Sequence, residues 1–111
     1  MTPSPSAPRI LKARPVPVVV GGTLERLGVR VMMARKLRGL TQEALGRLAD
    51  VSTSTIRAME DGAEGVALGN FFKVLPALGL LSQAEKLLDP QDDPQTVVYA
   101  QRQLGRRSTA G

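Results

Sequence analysis

Hydroxyls and a guanidinium are concentrated between Ser52 and Arg57, in the run Ser-Thr-Ser-Thr-Ile-Arg. Such groups donate and accept hydrogen bonds and carry charge, but bond-making chemistry needs acid–base or nucleophilic partners beside them. The 111-residue chain has no cysteine, histidine or tryptophan. Disulfides, cysteine nucleophiles, the usual zinc ligand sets and histidine acid–base catalysis are thereby excluded together. Carboxylates, hydroxyls and amines remain, and no paired constellation of them stands out. We therefore expect no catalytic residue, no metal ligand and no cofactor: the chain reads as a non-enzyme. What is left to Thr53, Ser54 and Arg57 is recognition.

The elements that must hold these residues lie in Leu40–Gly62, LTQEALGRLADVSTSTIRAMEDG. Thr41 is a good N-cap for a helix over about 42–49, with Leu45, Leu48 and Ala49 as its apolar stripe. Ser52 caps a second helix over about 53–61, with Ile56 and Met59 facing inward. This is the pattern of a helix-turn-helix. Gly46 supplies the small residue where the helices cross, Asp50 a turn residue that tolerates positive φ, and Ile56 a branched inward anchor. In that architecture the second helix lies in the major groove of DNA and its first residues reach base edges. Thr53, Ser54, Arg57 and Ala58 are then the candidate base contacts. A guanidinium can grip guanine O6 and N7 together, hydroxyls adapt to several bases, and an Ala methyl can touch a thymine methyl. Arg38, Thr41 and Arg47 are candidate phosphate contacts. The competing reading makes Ser52–Thr55 a capping cluster and nothing more.

Leu40–Gln42 (LTQ), Val51–Ser52, Thr55–Ile56 and Glu60–Gly62 (E-x-G) together resemble the landmarks of the Xre-type, lambda-repressor-like helix-turn-helix family. The resemblance covers about residues 24–81. It implies that Gln42, at the start of the first motif helix, meets a phosphate with help from the free backbone amides there. It departs at Asp50, where the family usually has Gly or a similar turn residue, so slight strain is expected in the turn.

The expected fold is all-α: a lambda-repressor-like five-helix domain over residues 23–89, after an arm over 1–22 and before an extension over 90–111. Met1–Pro8 is Pro/Ser-rich and is read as disordered. ILKARPVPVVV, residues 10–20, is β-prone, but Pro15 and Pro17 restrict it to an edge strand or an extended arm. Its uses would be pairing with a twin or a partner protein, following DNA as a basic arm, or none as a loose tail. Gly21-Gly22 punctuates, and Thr23 caps a helix over about 24–38. That helix has Leu24, Leu27, Val31, Ala34 and Leu37 inside, Arg26, Arg30, Arg35, Lys36 and Arg38 outside, and Gly39 as its stop. Gly28 should weaken it by about 1 kcal/mol relative to alanine. A fourth helix starts near Ala67 with Leu68, Phe71, Phe72, Leu75 and Leu78 inward, and Pro76 should bend or end it near Leu75. Ser82–Glu85 reads as a capping box opening a fifth helix with Leu87 and Leu88. Asp93-Pro94 would cap and start a last helix, TVVYAQRQL, with a strand as the alternative, before a flexible basic tail from Gly105.

The net charge of +5 is unevenly spread. Residues 1–60 hold ten Lys/Arg against four Asp/Glu, whereas residues 61–95 hold two against six. A basic front half carrying the motif, followed by an acidic segment, is how a polyanion-facing surface opposite a protein-facing one would look. No window approaches the roughly 18 apolar residues of a membrane span, and the start is a poor signal peptide. No membrane is expected, and a cytoplasmic, nucleoid-associated location is.

One domain buries too little DNA for tight selective binding, so a homodimer on a palindromic double-stranded operator is expected. Beyond the motif, Gly65-Val66-Ala67-Leu68-Gly69 and Ala77-Leu78-Gly79-Leu80-Leu81 resemble the HipB-like antitoxins encoded beside HipA-like kinase toxins. The resemblance implies a repressor of its own operon that also binds and restrains the kinase. A stand-alone or phage-type regulator is the first alternative. A protein-interaction adaptor that lost DNA binding is the second.

Overall fold

A computed structural model describes residues 15–110. The described residues form six α-helices and one 3-10 turn, without a strand. In chain order these are α1 (Val18–Leu37), α2 (Gln42–Ala49), α3 (Thr53–Glu60), α4 (Leu68–Ala77), α5 (Leu81–Ala84), the 3-10 turn Pro90–Asp92, and α6 (Pro94–Ala110). The fold is all-α and lambda-repressor-like, with α2 and α3 as the motif pair. Its core is one cluster of Val31, Leu45, Ala49, Val51, Ile56, Met59, Val74 and Leu78, drawn from α1 to α4.

The first helix begins six residues before the expected start. Val18–Val20 is its first turn rather than an edge strand, and Gly21-Gly22 lies inside it. Thr23 is not its cap: the hydroxyl donates back to the Val19 carbonyl at 2.9 Å. Pro17 sits at the N-cap, where its missing N–H costs nothing, and its carbonyl accepts from Gly21 N at 2.9 Å. Extending a nucleated helix costs little, and no strand among the described residues is there to pair with the valines. The part of the expected arm before Pro15 lies outside the described residues.

The inward face of α1 is rotated from the expected one. Gly28, Val31 and Arg35 are buried, whereas Leu37 is 83% exposed. Gly28 is a contact point: a Cβ there would stand 2.4 Å from the Glu60 carbonyl oxygen and 2.7 Å from that of Met59. Gly39, at φ 68°, ends the helix, and the Leu40 amide reaches back to the Arg35 carbonyl at 3.2 Å.

The later helices bring smaller corrections. α4 runs one residue past Pro76 and stops at Ala77, two residues beyond the expected break. A proline in the last turn forfeits one bond, to the Phe72 carbonyl, and Gly79 at φ 75° then turns the chain. Leu68 and Leu48, expected inside, are 66% and 61% exposed. Helix α5 starts at Leu81 without a side-chain cap, so Ser82 does not open it, and Leu87 and Leu88 are exposed beyond its end. Asp93 does cap α6: its carboxylate accepts from Gln95 N at 3.1 Å and from the Thr96 hydroxyl at 2.6 Å. Pro94 is the first residue of α6, and the helix continues to Ala110 in place of the flexible tail.

Candidate nucleic-acid interface

Both motif helices start on a hydroxyl. Thr41 Oγ1 accepts from Ala44 N at 2.9 Å and Ser52 Oγ from Thr55 N at 3.1 Å. Each satisfies one of the four amides that a helix start leaves unpaired. Between them Asp50 takes the left-handed conformation, φ 57° and ψ 49°. The chain then turns so tightly that Val51 N donates to the Gly46 carbonyl at 2.9 Å. A Cβ on Gly46 would lie 2.6 Å from the Val51 carbonyl oxygen, so only glycine fits at that crossing. Leu45 and Ile56, both fully buried, lock the two helices together.

Two polar ties fix the pair to the rest of the domain. Lys73 on α4 donates to the Asp50 carbonyl at 3.3 Å, with the Asp50 carboxylate 4.0 Å away. The second tie is buried. Arg35 Nε donates to Glu60 Oε2 at 2.6 Å, Nη2 to Oε1 at 2.9 Å, and Nη1 to the Leu40 carbonyl at 2.8 Å. Gln42 Nε2 also donates to Glu60 Oε1, at 3.0 Å. Burial pushes the Glu60 carboxyl up, but the hydrogen bonds from Arg35 and Gln42, with the charges of Arg35 and Lys36, outweigh it and hold its pKa below the ordinary value. This node joins the end of α1, the start of α2 and the end of α3.

Of the expected base contacts, Ser54 and Arg57 are exposed and Thr53 and Ala58 half-buried, all on the first turns and one broad side of α3. The Ser52 hydroxyl donates to Thr55 Oγ1 at 2.8 Å and lies 3.2 Å from the Ser54 hydroxyl, so part of the cluster does serve capping. The Arg57 side chain makes no hydrogen bond or ion pair among the described residues, and its carbonyl accepts from Asp61 N at 3.0 Å within the helix end. Other cations are engaged: Arg47 pairs with Glu43 at 3.0 Å, and Arg38 donates to the Ala34 carbonyl at 2.7 Å. Gln42 is half-buried, its amide turned to Glu60 rather than outward, while Thr41, at the N-cap of α2, and Arg47, on α2, are exposed. Arg47 and Thr53 meet across a shallow groove between α2 and α3 that also carries Glu43 and Asp50.

Arg35, expected on the outer face, is instead buried against Glu60, and Lys73, given no part by the sequence, ties α4 to the turn at Asp50. A signal for Arg35 existed: Leu24, Gly28, Val31 and Arg35 recur at helical spacing, so a stripe drawn through Gly28 would have placed Arg35 inside. Among the described residues no cluster of His, Cys, Asp or Glu is able to hold a metal ion, and no helix is long and apolar enough to cross a membrane.

Residues 26–86, from the third turn of α1 to just past α5, match the model of the helix-turn-helix domain family. The chain belongs to that family. The helix-turn-helix domain thus takes in all the motif geometry above and leaves out the first turns of α1 and the whole of α6. No curated protein matches the chain.

Proposed function

We propose that this helix-turn-helix protein is a sequence-specific DNA-binding repressor that acts as a homodimer on a palindromic operator in the cytoplasm. The observation that carries the reading is Arg57: an exposed guanidinium, uncommitted among the described residues, on the outer face of a helix whose inner face is locked by Ile56, Met59 and Glu60. On this reading Thr53, Ser54, Arg57 and Ala58 face base edges, and Arg38, Thr41, Gln42 and Arg47 line the phosphates. Residues 23–89 are the binding unit and 90–111 an extension. Gln42 does both jobs only if its amide holds Glu60 while its backbone N–H, free at the helix start, meets the phosphate.

The finer reading is that of an antitoxin that represses its own operon and restrains a HipA-like kinase. It is supported by the resemblance at Gly65–Gly69 and Ala77–Leu81, and a kinase gene beside this one, with co-purification of the pair, would test it.

The DNA reading is tested by selecting bound duplexes from a random pool and measuring Arg57→Ala on the winners. We expect a palindrome with half-sites about one helical turn apart. Arg57→Ala should cost about 1–3 kcal/mol and relax preference at one base pair. No enrichment of any sequence would refute the reading, and an equal loss on every sequence would move Arg57 to the phosphate contacts.

A further inference from the structure

The first helix is apolar on two sides, and the domain covers one of them. Gly28, Val31 and Arg35 are buried against the core and the end of α3. On the opposite side Val19, Gly22, Arg26, Val29, Met33 and Lys36 alternate steps of three and four residues, the spacing of a helix-pairing seam. Val19, Val29 and Met33 are exposed, Met33 at 61%, and Leu37 stands exposed beside the end of the seam. A helix that keeps apolar residues all round is ordinarily covered all round. Within one chain this side of α1 stays open to solvent.

The charges of the open side are of one sign. Among the exposed ionisable residues from Val18 to Arg38, Arg26, Arg30, Lys36 and Arg38 are cations, and Glu25 is the single acid, set where α1 meets Gly62. Arg26 lies in the seam itself. Its Nη2 donates to the Thr23 hydroxyl at 3.2 Å, and its Nη1 lies 3.3 Å from where a Cβ on Gly22 would stand. A cation in the middle of an apolar seam needs a carboxylate opposite it once water is excluded. Two copies of this face would set four cations against four, which like-charge repulsion opposes. An anionic bilayer suits cations along the edges of an apolar strip rather than within it. Duplex DNA, bound through its phosphates, leaves the valines, the methionine and the leucine uncovered.

We propose that the outer side of α1 docks an acidic amphipathic helix of another protein, packed along the seam from Val19 to Leu37 with a carboxylate on Arg26. Val29, Met33 and Leu37 supply the apolar contact, and Arg26, flanked by Arg30 and Lys36, fixes the sign of the partner's charge and its register. The match to the helix-turn-helix domain family starts at residue 26, so the first two turns of the seam lie beyond the shared domain. The proposal rests neither on DNA binding nor on a kinase partner.

The probe is a synthetic heptad peptide with leucine at a and d and glutamate at e and g, titrated calorimetrically into the full chain; a copy with lysine at e and g is the control. The acidic peptide is expected to bind and gain helicity, and the lysine copy is not. Met33→Gln with Leu37→Gln keeps charge and helix propensity, and both positions are exposed, so the fold should stand while peptide affinity falls by about tenfold or more. Arg26→Glu with Lys36→Glu should turn the preference to the lysine peptide. An acidic peptide that does not bind, equal binding of the two peptides, or indifference to the two glutamines would each overturn the proposal. So would loss of self-association in sedimentation, or of binding to phosphatidylserine vesicles, with the same two glutamines, which would give the face to a second copy or to a membrane. On the palindromic duplex the glutamine variant should bind as the wild type does, and a matching loss there would give the face to DNA. A wild type that binds the acidic peptide but no DNA leaves this proposal standing and sinks the DNA reading alone.

Discussion

Glu60 accepts from Arg35 twice and from Gln42 once, so one carboxylate holds three helices in register. Removing it strands a buried guanidinium, a loss that exceeds that of the same pair at a surface. We expect Glu60→Ala to cost about 3–5 kcal/mol in urea unfolding. The pH dependence has a definite sign. Because the folded pKa lies below the unfolded one, the contribution is complete above the ordinary carboxylate range, near about 4.3, and is lost as pH falls through the folded value. Acid titration of stability should therefore be steeper in the wild type than in Glu60→Gln; equal slopes would show that the carboxyl does not titrate with folding. The carboxylate was visible in the sequence only as part of an E-x-G landmark. Its partner lies 25 positions away, and no local pattern pairs residues over that distance.

Among the elements, α1 separates propensity from packing most sharply. Taken alone, Gly28 is a weak spot that alanine would improve by about 1 kcal/mol. In the fold, the added methyl meets two backbone carbonyls of α3 that no side-chain rotation can move. We expect Gly28→Ala to destabilise by about 1–3 kcal/mol, while Gly21→Ala, with nothing within 4 Å, gains up to about 1 kcal/mol. Thermal unfolding of both variants checks this, and a stabilised Gly28→Ala would mean that the helices are not in such close contact. The same helix shows why the edge-strand alternative fails over Val18–Val20. Valine and proline content describes what a segment prefers in isolation, and a helix already nucleated downstream overrides it. The motif helices were more legible because their caps and turn are written within a few residues of one another. Thr41, Asp50 and Ser52 need only their neighbours.

For the whole molecule, the charge distribution carries the prediction. If the basic residues of the first sixty positions neutralise several phosphates per copy, affinity for DNA falls by a thousandfold or more, on the order of 10³, from low to moderate salt. Binding titrations across that range check it, and flat affinity would rule the mechanism out. One of those cations is spent inside the protein, Arg35 on Glu60. The salt slope should therefore be smaller than a count of Lys and Arg implies.

Helix-turn-helix membership and the absence of cysteine and histidine chemistry were readable from residue types and short spacings, because capping, left-handed turns and thiol or imidazole reactivity are local properties. The face that α1 turns inward, the burial of Arg35, and the exposure of Leu48 and Leu68 came only with the tertiary structure. Each depends on which surfaces meet across tens of residues, and a helical stripe read alone leaves that choice open by one position in either direction.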